Sequence, residues 1–199
     1  MKKYLIFIFY PICLLSLNLT ALDLERLNLE EGFSISIFAE NLDSPRQMAE
    51  GKNGTIFVGE RNGKIIALRD LDNNGQVDLK IVVAEGLTYS TGVSLFDGDL
   101  YLSEISQIWK IENIEDWIAN YSVNSVLPKK ILVVDNLPNE KWHGWKWLQH
   151  DSDGGLYFNV GAPCNICLSE NPQFASILKY KDGELSFVAK GVRNTVGFD

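Results

Sequence analysis

His143 is one of two histidines in the 199-residue chain, and it stands between tryptophans in NEKWHGWKWLQHDSDGG. An imidazole titrates near pH ~6.5, so it can take a proton from a hydroxyl at neutral pH, the task of a general base. The same residue in an aromatic-flanked strand can equally be a hydrogen-bonded, chemically idle core group. In an alternating strand, Trp145 and Trp147 share the face of His143 as packing groups, while Trp142 and Lys146 take the other. His150, followed by Asp151 and Asp153, reads as a solvated residue of an outward turn.

Two other groupings could carry chemistry. Cys164 and Cys167 lie in APCNIC, and outside the cytoplasm such a pair favours a local disulfide. Haem attachment would need a histidine next, where Leu168 stands, and a zinc site would need a second ligand pair. In DLDNNGQVD, Asp70, Asp72, Asn74 and Asp78 hold the first, third, fifth and ninth places of a loop turning at Gly75. Alternate oxygens in that order resemble the front of a calcium loop, but its twelfth place is Ile81 instead of glutamate. Weak calcium binding and a solvated, Asx-rich hairpin tip are the two readings.

The elements that must position these groups are strands. FSISIFAE, GTIFVGE, KIIALRD, LKIVVAE, DLYLSE, QIWKIEN, KKILVVDN, GLYFNVG, SILKYKD and LSFVAKG are short, β-branched or aromatic, and bounded by turn residues. IEDWIANY alone has a helical look. One phrase recurs as NGTIFVGERNGKIIAL, DGDLYLSEISQIWKI and DGGLYFNVGAPCNIC, and its turn glycines, Gly54, Gly98 and Gly154, are 44 and 56 residues apart. That period is the length of a four-stranded propeller blade, so the expected fold is an all-β propeller. Before the glycines stand SPRQMAE, STGVSLF and WHGWKWLQ, and VRNTVGFD opens a fourth unit. Arg46 with Gln47, Ser90 with Thr91, His143, and Arg193 with Asn194 then occupy equivalent places that converge on the propeller axis.

Residues 1–21 read as a secretory signal, with Lys2 and Lys3 ahead of an apolar run that ends near Ala21. The run is short and broken by Pro11, so no stable membrane anchor is expected, and the protein is expected to be periplasmic or extracellular. Loss of the two lysines takes the formal charge from -8 to -10, which disfavours nucleic acid as a partner. Residues 22–199 then supply about three blades and the first strand of a fourth. Propellers close with roughly four to eight blades, so this is expected to be the amino-terminal part of a propeller, or one completed by another chain.

GFSISIFAE, LDSPRQMA, NGTIFVGER, LPNEKWHGWKWL, GLYFNVGAPCNIC and GVRNTVGFD, in this order, resemble the soluble pyrroloquinoline-quinone (PQQ) sugar dehydrogenases, most closely the sorbosone dehydrogenase branch. The resemblance implies a six-bladed propeller that binds PQQ and calcium, oxidises a sugar or sugar-derived aldehyde by hydride transfer, and reduces an external electron acceptor. It assigns His143 the role of catalytic base, and Arg193 and Asn194 the Arg-Asn pair at the cofactor, with Thr91 beside them. The calcium that accompanies the cofactor would take ligands beyond Asp199. Two positions depart from the pattern: Ala162 stands where a carboxylate pairs with the histidine, and Ser90 near an expected glutamine. A Cys164–Cys167 disulfide would line the pocket where that carboxylate is missing. The alternatives are a lactonase-like hydrolase, a carbohydrate-binding scaffold, or an inactive fragment. A hydrolase of that kind needs metal-binding acids at the axis, where Arg46, Thr91, His143 and Arg193 stand.

Overall fold

The computed structural model describes residues 24–199, so the expected signal segment lies outside the described residues. The chain divides into a unit ending at Ser36, whose one regular element among the described residues is a 3-10 turn at Leu24–Arg26, and a unit from Ile37 to Asp199 that holds every strand among the described residues. None of the helices among the described residues is long and apolar enough to cross a membrane.

Three antiparallel four-stranded sheets follow one another in sequence order. Blade 1 comprises β1 (Pro45–Glu50), β2 (Ile56–Glu60), β3 (Lys64–Arg69) and β4 (Leu79–Ala84). Blade 2 comprises β5 (Val93–Phe96), β6 (Asp99–Ser103), β7 (Ile108–Ile111) and β8 (Ile131–Val134), with the helix α1 (Ile114–Ala119) between its last two strands. Blade 3 comprises β9 (Leu148–His150), β10 (Leu156–Val160), β11 (Ser176–Lys181) and β12 (Glu184–Lys190). The described residues thus form three propeller-like blades and no closed ring.

The blades stack through their faces, which is why strand interiors such as KIIALR read as continuous apolar runs. On blade 1, Phe57, Ile65, Ala67, Ile81 and Val83 pack against Val93, Leu100, Leu102 and Ile111 of blade 2 and against Ile114 and Ile118 of α1. Residues of the opposite parity, Val58, Ile66 and Leu68, cover the other face. A second core joins Ile108 and Val134 of blade 2 to Leu148, Leu156, Phe158, Val160 and Leu178 of blade 3. Phe158 is fully buried there, so truncating it to alanine costs about 3–5 kcal/mol.

Two expected strands are absent. FSISIFAE and GVRNTVGFD join no ladder among the described residues; the first makes a single long-range backbone contact, Phe38 C=O accepting from Val77 N–H at 3.0 Å, too little for a strand pair. The second instead runs back over blade 3, with Val192 N–H donating to Ala175 C=O at 2.9 Å and Arg193 C=O accepting from Ala162 N–H at 2.7 Å.

Candidate active site

The inner strands β1, β5 and β9 meet at one axis, and the amide of Gln47 joins them. Its Oε1 accepts from the backbone N–H of Val93 at 3.1 Å and of Leu148 at 2.9 Å, and its Nε2 donates to Leu148 C=O at 2.6 Å. Gln47 is free to do this because the β1–β2 register slips between Pro45 and Met48, which releases Arg46 and Gln47 from the ladder. Thr91 ties the next pair of segments, its hydroxyl donating to Lys146 C=O at 3.2 Å.

Around these ties lies a cavity of about 310 Å³, walled by Arg46, Gln47, Thr91, Trp145, Lys146, Trp147, Asn194, Thr195 and Val196. Four segments distant in sequence therefore build it. Its walls carry two cations, Arg46 and Lys146, and no carboxylate, in a chain with 26 acidic and 18 basic residues. Trp147 Nε1 and Thr195 Oγ1, on two of its walls, are shielded from solvent and have no hydrogen-bond partner, as does Ser90 Oγ beside Thr91.

His143 stands one turn earlier. It is not in a strand: residues 141–143 form a turn, β9 begins at Leu148, and His143 has a left-handed backbone with φ 51°. The expected alternation holds in burial from His143 onward, with His143, Trp145 and Trp147 half-buried and Gly144, Lys146 and Leu148 buried, but Trp142, expected on the face of Lys146, is exposed because it lies within the turn. His143 Nδ1 lies 2.8 Å from Ala162 C=O. A carbonyl can only accept, so Nδ1 carries the proton and Nε2 keeps its lone pair. The backbone carbonyl of Ala162 thereby supplies the partner that its side chain lacks. A methyl group on Gly161 would collide with the backbone oxygen and Cβ of His143, so glycine is what permits this approach.

Ala162 also fixes Arg193, whose C=O accepts its N–H, while the Arg193 guanidinium donates to Asn165 Oδ1. The structure therefore brings Thr91 and Asn194 into the cavity wall with Arg46 and Gln47, and places His143 and Arg193 together at Ala162, outside that wall. Cys164 and Cys167 are joined by a disulfide with Cα atoms 6.0 Å apart. It does not line the cavity, contrary to expectation; it closes the loop that presents Asn165 to Arg193.

His150 is also not the solvated turn residue expected. It lies in β9, stacks on Phe96 at 5.2 Å, meets Tyr101 edge-on at 4.4 Å and bonds Ser94 Oγ through Nδ1 at 2.8 Å. Burial pushes its pKa down to about 4, against the pull of Asp151. It belongs to the blade 2–blade 3 interface, because β9 extends one residue further than the Asp-rich turn suggested.

Lys146 is a site residue that the sequence did not single out. It is 4% exposed, its Nζ has Gly144 C=O at 3.4 Å, and burial pushes its pKa down to about 7. The available signal was its parity with Gly144 and Leu148, which sets a lysine on the buried face. Asp70, Asp72 and Asp78 lie in the β3–β4 loop, away from the cavity wall, with carboxylate oxygens within 4.8 Å of one another. Asn74 joins them through its backbone N–H, which donates to Asp70 and Asp72, while its own Oδ1 accepts from Gln76 N–H.

No protein-family profile matches the sequence. An uncharacterized protein of Borreliella burgdorferi is 30% identical over an alignment of 183 residues that covers 87% of this chain and 46% of that protein. The chain thus spans about half the length of this relative. Among solved structures, the holo PQQ domain of a pyranose dehydrogenase from Coprinopsis cinerea superposes with a TM-score of 0.63 at 20% identity, covering 77% of this chain and 37% of that one. The chain shares the fold of that PQQ domain. A Trichoderma reesei carbohydrate-active enzyme of family AA12 gives 0.56 at 19% identity over 73% and 37% of the two chains. The PQQ-bound aldose sugar dehydrogenase of Streptomyces coelicolor gives 0.53 at 17% identity over 75% and 48%.

Proposed function

We propose that the chain is part of an exported PQQ-dependent dehydrogenase that oxidises a sugar or a sugar-derived aldehyde of the sorbosone kind. The observation that carries this reading is the cavity at the inner ends of the blades, rich in hydrogen-bond donors and free of carboxylates, with His143 one turn from its wall.

The residues present fit the cofactor. PQQ is a quinone bearing three carboxylates, and Arg46, Asn194 and Lys146 offer donors and positive charge where it would bind, Thr91 keeps acceptor capacity on the same wall, and Arg193 stands next to Asn194. When bound, PQQ supplies the acceptor for the hydride of the sugar C–H and passes the two electrons to an external acceptor. His143 takes the hydroxyl proton of the substrate at Nε2, and the Ala162 carbonyl stabilises the resulting imidazolium through Nδ1–H. Nearby cations favour the negative charge that develops on reduction. Calcium accompanies the cofactor, and Asp70, Asp72, Asn74 and Asp78 form a separate, weak calcium loop.

The test is reconstitution of the full-length protein with PQQ and calcium, followed by dye-linked oxidation of an aldose and sorbosone panel. His143→Ala should lower kcat by roughly 10²–10⁴-fold with PQQ still bound. Failure to retain PQQ, or sugar oxidation unchanged in His143→Ala, would remove this assignment.

A further inference from the structure

Beside the cavity, Trp145 gathers two cations of blade 1, remote from it in sequence. The guanidinium of Arg61, in the β2–β3 turn, lies 4.1 Å from the Trp145 ring centroid, and that of Arg46, on β1, lies 5.3 Å from it. Tyr89, in the loop before β5, stacks on the same ring at 5.6 Å, and Lys141 sets its ammonium 5.7 Å from Tyr89. None of these three cations has an ion-pair partner among the described residues, where the pairs are Lys110 with Asp99 and Glu112, and Lys179 with Asp151. Tyr89 holds a left-handed φ of 57°, which an aromatic side chain adopts at a cost and which is typical of functional positions.

We propose that this aromatic–cationic patch is the subsite for an acidic group of the substrate, so that the carbohydrate is a uronic acid or ends in one. The proposal rests on the dehydrogenase reading for the chemistry, but the subsite is defined by its own geometry. Both guanidiniums lie against one ring and neither is held by a carboxylate among the described residues, so an incoming carboxylate gains charge-assisted hydrogen bonds without first breaking an ion pair. The rings limit their motion, so little side-chain entropy is lost when the anion arrives. Arg46 and Trp145 also wall the cavity, so a sugar held here by its acid group lies against the proposed cofactor pocket. A neutral sugar can contact the rings and the guanidinium N–H groups but lacks the charge-assisted contact.

A carboxylate could also come from the quinone cofactor, so the experiment separates the two sources. Binding of D-galacturonate and of D-galactose to the protein is compared by saturation-transfer NMR, with PQQ affinity measured separately by absorbance. Galacturonate is expected to bind at least roughly ten-fold more tightly than galactose, the loss typical of one charge-assisted contact. In Arg61→Gln that preference should vanish while PQQ affinity stays the same; Arg61 is exposed, so the variant should fold. Equal binding of the two sugars, binding of neither, or an equal loss of PQQ affinity in Arg61→Gln would overturn the proposal. A protein that prefers galacturonate yet reduces no dye would sink the dehydrogenase reading and leave the subsite standing.

Discussion

Gln47 and Leu148 are 101 residues apart in sequence and joined by two hydrogen bonds, from Leu148 N–H at 2.9 Å and to Leu148 C=O at 2.6 Å. The same amide accepts from Val93 N–H, so one buried side chain holds the first strands of three blades. Gln47→Leu keeps the volume and removes all three bonds, stranding two N–H groups and a carbonyl. The expected loss is about 3 kcal/mol in urea unfolding. A loss below roughly 1 kcal/mol would mean that the axis is held by packing alone.

The bond from His143 to Ala162 makes a prediction about tautomer. With Nδ1–H donating to a carbonyl, the ¹⁵N spectrum of neutral His143 should show a protonated Nδ1 and an unprotonated Nε2. The reverse pattern would turn the lone pair away from substrate and end its candidacy as base. Gly161→Ala should disturb the same signals, since the added methyl meets the His143 backbone.

Lys146 should impose a pH dependence on stability. Burial holds its folded pKa at about 7 against an ordinary 10.5, so between those values the unfolded chain binds more protons than the folded one. Stability therefore rises with pH across that window, by about 1.4 kcal/mol for each pH step of one, and carries the full penalty below pH 7. Lys146→Met should be more stable than the parent at pH 6, with the difference shrinking towards pH 10. A pH-independent difference would show that the lysine is solvated. Below pH 7, where Lys146 is charged, the same variant should also weaken PQQ binding, because it removes a cation from the cavity wall.

The blades were legible because their signal is local: a turn glycine and a β-branched strand recur with the period of the unit they build. The convergence of Arg46, Gln47, Thr91 and Asn194 followed from aligning the repeats. What was not legible depends on register and loop path. The parity of Lys146 with Gly144 and Leu148 set it on the buried face, but WHGWKW forms no ladder, so the left-handed turn at His143 and its bond to Ala162 had no local signal. The disulfide was readable as a pair, but its direction away from the cavity depends on how residues 161–168 cross blade 3. The Trp145 patch was invisible because Arg61 and Tyr89 reach it from other blades.

His150 supplies a second, separate titration. Its folded pKa of about 4 lies below the ordinary 6.5, so stability should rise as pH goes from 4 to 6.5 and be lost as pH falls through that range. His150→Phe should flatten that slope while keeping the stack on Phe96 and Tyr101, at the expense of the Ser94 bond. An NMR titration placing His150 near 6.5 would show that the interface between blades 2 and 3 is open to water.

The β3–β4 loop tests whether carboxylates already engaged by backbone can still hold a cation. Desolvation pushes the Asp70 carboxyl up, but the N–H groups of Gly75, Asn74 and Asn73 together outweigh it and keep the group below its ordinary value. Asp78 accepts from Leu71 N–H in the same way. These bonds pre-form the loop, and each carboxylate keeps acceptor capacity, with one oxygen from each of Asp70, Asp72 and Asp78 within 4.8 Å of the others. Without the bidentate glutamate, calcium should bind with a Kd on the order of 10⁻⁴–10⁻³ M, the range of weak extracellular sites. Calorimetry should register that heat, and Asp72→Asn should diminish it because one of three charges is lost. No heat at millimolar calcium would leave the loop as a hairpin tip closed by its own Asx bonds.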